Sequence, residues 1–417
     1  QVLPSRHAPA YVALLADRRI RGLATGNLVS SVGDGMAAVA VPWLALQLAH
    51  AQHASEGLAV AGAATAGSLL GVPLALAVGL GRRRFDPRAA LLADCAVRGT
   101  LFLLAAALAA GGRLPLWWFI GLLGAASVLH TVAMSGRRLI LTDLAGPERR
   151  LAVNSLITTQ FSVATWTVGP ALGGLLTAAG GPALVLALDG CSFLPLLLAA
   201  LPLPPGTGLH GAAPRPVDGA SGLAILRRRP VVVALLLLTL CVDLLYYPVE
   251  VALPVHVAHA FGGAGTLGAV WTGFGVGAIA GSFLVGTLGR VPQRLVLLGA
   301  TGGWAVALAA FTASRSPAQA VAAFALGGML WVPFSPVAYT LVQGAVDAGE
   351  QQPVVTLWNA VLQGVAPLGL AAAGPLVAGI GAGATLWLSS AGTAALALLA
   401  ALALALATTR RRAGVRV

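Results

Sequence analysis

Four acidic residues stand where acids are costly. Asp34, Asp189, Asp243 and Glu250 each interrupt a run of Ala, Leu, Val and Gly about as long as a bilayer crossing. A lone charge at the centre of a hydrocarbon layer costs roughly 2.5 to 3.5 kcal/mol on insertion scales, so each of these acids calls for a reason. Desolvation disfavours a carboxylate against its protonated form, and the chemistry that suits such a group is carrying a proton. Asp243 and Glu250 are seven residues apart, which at about 100° per residue puts both on one helical face, about 10.5 Å apart along the axis. Asp34 and Glu250 are the leading proton-coupling candidates. Asp34 has a structural alternative, bonding backbone or Ser31, and Asp243 and Asp189 have one as helix-end or packing residues.

Other residues compete for a role. Arg98 lies in an apolar run with Asp94 four residues earlier on the same face, a pairing that explains it, with anion binding as the alternative. His130, His256 and His259 are scattered and lack cysteine partners, so no metal site is expected. Tyr246 falls within a turn of Asp243 and Glu250. With Asn359, Gln363, Trp43 and Trp166 it forms the set of substrate-cavity candidates, whereas Trp117 and Trp118 sit where an interfacial belt places aromatics. There is no phosphate-cradling Gly-rich loop followed by Lys, no H-E-x-x-H pair and no G-x-S-x-G elbow. Neither an enzyme nor a cofactor is expected.

The elements that must hold these residues follow from composition. Of 417 residues, 58% are hydrophobic and only 9% charged, against about 25% charged in soluble domains. The three cysteines cannot pair evenly, which excludes a disulfide scaffold. Apolar runs between charge clusters predict twelve spans, near 23–49, 57–80, 89–110, 115–135, 152–179 and 182–202, then 231–258, 266–289, 292–312, 317–345, 353–380 and 383–407. Residues 203–230, rich in Pro and Gly and ending in Arg227, Arg228 and Arg229, read as a linker. The predicted division is a cytoplasmic segment 1–22, a six-helix half 23–202, the linker, a second half 231–407 and a tail 408–417.

All 25 basic residues are arginine, giving a net charge of +12. With twelve spans, 22 of them fall on one side of the membrane, two (Arg113 and Arg315) on the other, and Arg98 inside a span. The excess marks the cytoplasmic side and puts both termini there. The basicity is thus an orientation signal, and without interleaved aromatics it does not indicate nucleic acid. Residues 1–21 have no apolar h-region or small-residue cleavage site, so no signal peptide is expected.

Several motifs give a family resemblance. In the fifth span, Gly169-Pro170-Ala-Leu-Gly173-Gly174 resembles the G-P-x-x-G-G core of the antiporter motif of major facilitator superfamily exporters. The loop Gly79-Leu-Gly-Arg82-Arg83-Arg84-Phe85-Asp86 resembles that superfamily's G-x-x-x-D-R motif, with Arg83 in place of its acid, and glycines before Arg290 repeat the pattern. The run Gly33-Asp34-Gly35 then Pro42-Trp43, Pro147-Glu148 then Asn154-Ser155, and Pro367-Leu368-Gly369 then Gly374-Pro375 are similar to the macrolide-efflux and enterobactin-exporter-like branch. The resemblance implies a major facilitator fold, all-α and polytopic, with twelve transmembrane helices in two six-helix halves. It implies Gly169, Pro170, Gly173, Gly174, Gly79, Arg83 and Arg84 as conformational motif residues. It further implies a monomer in the bacterial inner membrane that exports a small apolar or amphipathic compound (drug, antibiotic or siderophore) against protons. The alternatives are a nutrient importer or facilitator and a non-transporting scaffold or sensor.

Overall fold

The computed structural model describes residues 14–71, 73, 74, 77, 86–209, 225–287, 291–347 and 350–414, and these form helices joined by short turns, with no strand among them. That outcome is what a bilayer demands, because a helix satisfies its own backbone N–H and C=O groups where no water can. Ten helical stretches among the described residues are long and apolar enough to cross a membrane.

The chain forms two compact units. The first comprises residues 1–54 and 62–216, the second residues 55–61 and 217–417. In the first lie α1 (Arg18–Ala51), α3 (Pro87–Ala110), α4 (Leu116–Ser127), α5 (His130–Ala145), α6 (Arg150–Val163) and α7 (Gly169–Ala200), while α2 (Glu56–Leu69) begins in the second unit and continues in the first. The second holds α8 (Pro230–Ala260), α9 (Ala264–Thr287), α10 (Gln293–Thr312), α11 (Pro317–Trp331), α12 (Phe334–Gly344), α13 (Gln351–Ile380) and α14 (Ala382–Gly414). Helix α1 starts because the Asp17 carboxylate accepts from the N–H groups of Arg19 and Ile20, and α3 because Asp86 accepts from Arg88 with Pro87 in the first turn. Helix α7 bends sharply at Gly181, whose φ of 81° only glycine adopts without strain, and Pro182 begins its second arm.

Two observations differ from the sequence reading. The span predicted to end at 135 continues to Ala145 as α5, and Arg137, assigned to a loop by its charge, is buried within it. Hydropathy cannot see that a charge has a partner inside the fold, and Arg137 has two, as described below. The first residues of the segment read as linker are fastened to the first unit. The carboxylates of Asp86 and Asp143 accept from the N–H groups of Gly206 and Gly208, next to the end of α7, where Arg88 donates to the carbonyls of Ala200 and Leu201.

Within each unit, small residues let helices touch backbone to backbone. In the second, Gly273, Gly277 and Gly281 of α9 lie against the backbone of Val321, Ala325 and Met329 of α11. A spacing of four keeps all three on one stripe, so helices that gain nothing from excluding water inside lipid are held by close van der Waals contact.

Candidate functional site

In the first unit the ionisable residues of α1, α3, α5 and α7 converge. Arg98, on α3, donates from Nη2 to Asp34 Oδ1 of α1 at 2.6 Å, and its Nη1 lies 3.0 Å from His130 Nδ1. Guanidinium nitrogens only donate, so Nδ1 is the acceptor and the imidazole carries its proton on Nε2. The Arg98 head lies 4.5 Å from the ring centre of Phe193, on α7, and 5.7 Å from that of Phe102. Those contacts extend the stabilisation of a charge that the bilayer would otherwise reject.

The expected partner of Arg98 was Asp94. The i, i+4 rule describes an isolated helix, and here both residues find better-placed groups on other helices. Asp94 is fully buried and lies 3.8 Å from Arg137 Nη2 of α5. Arg137 Nη1 also donates to Asn27 Oδ1, Asn27 Nδ2 to Gln160 Oε1, and Gln160 Nε2 to the carbonyl of Ala24. A polar chain thus ties α1, α5 and α6, and nothing in the spacing of Asn27 and Gln160 indicated it. Asp189, on α7, is fully buried and accepts from Ser192 Oγ at 3.2 Å. It packs against Gly33, where any Cβ would strike the Asp189 carboxylate and the Ser192 side chain.

The glycine–proline motif seats directly beside this cluster. Residues Ala164–Val168 form one π-helical turn before Gly169 and Pro170. Pro170 has no N–H for the usual bond four residues back, so the helix widens there instead of continuing as α. A Cβ on Gly169 would stand 2.6 Å from both Gly35 Cα and the Ala164 carbonyl, and one on Gly173 would stand 2.6 Å from the carbonyl of Met36. Gly174 is buried alongside. The motif therefore touches α1 at the two residues that follow Asp34. Trp166 lies within the π turn itself, and Gly79, Arg83 and Arg84 lie outside the described residues.

The second unit holds the other candidates. Along α8 the Tyr246 hydroxyl and the Glu250 carboxylate are hydrogen-bonded, one turn apart, and Asp243 lies within Coulombic range of both. The Tyr246 ring stacks nearly parallel on Trp331, 6.5 Å between centres, and meets Trp304 at 5.9 Å, while Trp331 stacks on Phe334 at 4.6 Å. An acid is thus presented at the edge of an aromatic cluster, an arrangement suited to a flat, largely apolar ligand. Asn359, on α13, accepts from the Tyr339 hydroxyl, which occupies a group that the sequence offered to substrate. Gln363 is exposed and Trp43 half-buried. Among the described residues no three His, Cys, Asp or Glu side chains could together hold a metal ion.

Residues 23–250, more than half of the chain, match the Major Facilitator Superfamily profile. The chain belongs to the major facilitator superfamily. Among major facilitators of known role, it is 29% identical to the multidrug efflux pump Tap of Mycobacterium tuberculosis and of Mycobacterium bovis, over 91% of this chain and 90% of the relative. Its fold is shared with the crystal structure of the nucleoside transporter NupG, at a TM-score of 0.72 and 11% identity over 93% of this chain and 99% of that one. It is also shared with a bacterial homologue of the human lysosomal transporter Spinster in an inward-facing, unoccupied conformation, at 0.65 and 12% identity over 95% and 96%. As a major facilitator with many apolar helices, the chain is a multi-pass membrane transporter, and its charge pairs are read in that setting.

Proposed function

We propose that this major facilitator is a secondary active exporter of a small apolar or amphipathic compound, driven by proton antiport. It works as a monomer in the bacterial inner membrane with both termini in the cytoplasm. The observation that carries the coupling half of this reading is the Asp34–Arg98 ion pair, one residue from the Gly35–Gly169 contact. A change of charge at that pair acts directly on the closest approach of α1 to the π turn. A proton bound there can therefore bias one conformation against another, which is all that alternating access requires of its driving ion. Glu250, bonded to Tyr246 in the second unit, is the second coupling candidate, and the aromatic cluster around it is the candidate ligand surface. Export rather than import is supported by the near full-length similarity to a multidrug efflux pump.

Everted membrane vesicles energised for proton uptake, with a fluorescent lipophilic dye as cargo, test it. Dye accumulation that collapses with a protonophore is expected. Asp34→Asn and Glu250→Gln keep size and hydrogen bonding but cannot ionise. The first is expected to lose uphill accumulation and keep downhill exchange, and the second to lower it. Wild-type, protonophore-sensitive accumulation in the double variant would remove both residues from the coupling role.

A further inference from the structure

The buried charges of the first unit do not balance. Among the described residues its membrane-spanning interior holds three carboxyls (Asp34 on α1, partly exposed; Asp94 on α3 and Asp189 on α7, both fully buried) and two guanidiniums (Arg98 on α3, Arg137 on α5), besides the Cys95 thiol on α3 and the His130 imidazole on α5. His130 accepts from Arg98 and so is uncharged in this arrangement. Asp34 is matched by Arg98 through a 2.6 Å hydrogen bond, and Asp94 by Arg137 across 3.8 Å, an ion pair in which neither Asp94 oxygen has a hydrogen-bond partner among the described residues. Asp189 is left over. It has no exposed surface, its Oδ1 receives the Ser192 hydroxyl, and its Oδ2 has no hydrogen-bond partner among the described residues. An ionised carboxylate in that position would be a buried charge with one weak donor, beside a second carboxylate, since Asp34 is within Coulombic range. The cluster is neutral only when one carboxyl is protonated.

We propose that Asp189 carries the exchangeable proton of the first half, and that losing it draws Arg98 away from Asp34 toward Asp189. This rests on the antiport reading above but moves the proton's seat from the Asp34–Arg98 pair to Asp189, with Asp34 as the partner that Arg98 gives up. The geometry for the transfer is already set. Phe193, on which the Arg98 guanidinium rests, lies four residues after Asp189 and so on the same face of α7. A rotation of the Arg98 side chain along that face exchanges one carboxylate for another without uncovering the cation to lipid. The proton arrives at Oδ2 from the outer side and leaves to the cytoplasm. No other bond changes, except that Asp34, beside the Gly35–Gly169 contact, loses its partner.

Infrared difference spectra of the purified protein between mild acid and alkali read the protonated carboxyl directly, through its C=O stretch. The wild type should show a band that Asp189→Asn loses and Asp34→Asn keeps. In vesicles, Asp189→Asn should lose uphill dye accumulation and keep downhill exchange. Because Glu250, Asp243 and Asp94 can contribute bands of their own, the component lost in Asp189→Asn should be kept in Glu250→Gln, Asp243→Asn and Asp94→Asn. A spectrum of Asp189→Asn identical to wild type, or wild-type uphill accumulation by that variant, overturns the proposal. So does failure of Asp189→Asn to fold while Ser192→Ala folds, because an amide replaces a protonated carboxyl without altering charge. If the wild type shows no protonophore-sensitive accumulation, the antiport reading fails instead, and the infrared band still decides whether Asp189 holds a proton.

Discussion

Arg98 shows how a single charge is made tolerable inside a membrane protein. Its two terminal nitrogens have partners on two different helices, and its planar face lies on Phe193. Removing one member of a buried pair costs more than the pair contributes, because the survivor keeps its desolvation penalty. Arg98→Met is therefore expected to lower stability by about 3 to 5 kcal/mol, by leaving Asp34 unpaired. Thermal unfolding in detergent measures this. Asp34→Asn combined with Arg98→Met should recover much of the loss, since the double variant leaves neither member of this pair without its partner. A double variant less stable than Arg98→Met alone would mean that Asp34 has another cationic partner. This pair was not legible in the sequence. Asp34 and Arg98 were visible as costly residues, but which face of α3 meets α1 is decided by packing, and the nearest acid in sequence, Asp94, faces Arg137 instead.

At the scale of elements, glycine placement separates contacts that hold helices together from positions that do not. A side chain on Gly277 would run into the backbone carbonyl of Ala325, which cannot move without shifting α11. Gly299, on α10, has nothing within 4 Å of its missing Cβ. Gly277→Leu is expected to abolish accumulation of folded protein. Gly299→Ala should raise stability by about 0.5 to 1 kcal/mol through its higher helix propensity alone. Fluorescence-detected size exclusion after heating distinguishes the two outcomes. The positions of the helices were largely readable, because apolar length and Pro or Gly breaks are local properties: the fifth and sixth predicted spans meet at the Gly181 bend. What escaped was the reach of α5 through Arg137 and the π turn at Ala164–Val168. The first depends on partners on other helices, Asp94 and Asn27; the second follows from Pro170, but whether a proline bends, breaks or widens its helix is not fixed by the proline alone.

For the molecule as a whole, the arginine asymmetry predicts which side each loop faces. Cysteine substitution in a background lacking Cys95, Cys191 and Cys241 tests this assignment at described positions. Arg113→Cys, between α3 and α4, is expected to react with an impermeant thiol reagent added to intact cells. Glu148→Cys, between α5 and α6, should react only after the membrane is opened. The reverse pattern would invert the orientation. The nine tryptophans are also unevenly housed. Trp304 and Trp358, both in the second unit, are 2% exposed, whereas Trp117 and Trp118 in the first are 75% and 64% exposed. Indole emission shifts to shorter wavelengths as water is excluded, so the buried Trp304 and Trp358 emit at the blue edge of the intrinsic fluorescence. Trp304 touches Tyr246 and Trp331, and a compound settling on that cluster should dim this edge while leaving the red side unchanged. On the proposed ligand surface, these indoles would then serve as an optical gauge of occupancy that needs no attached label.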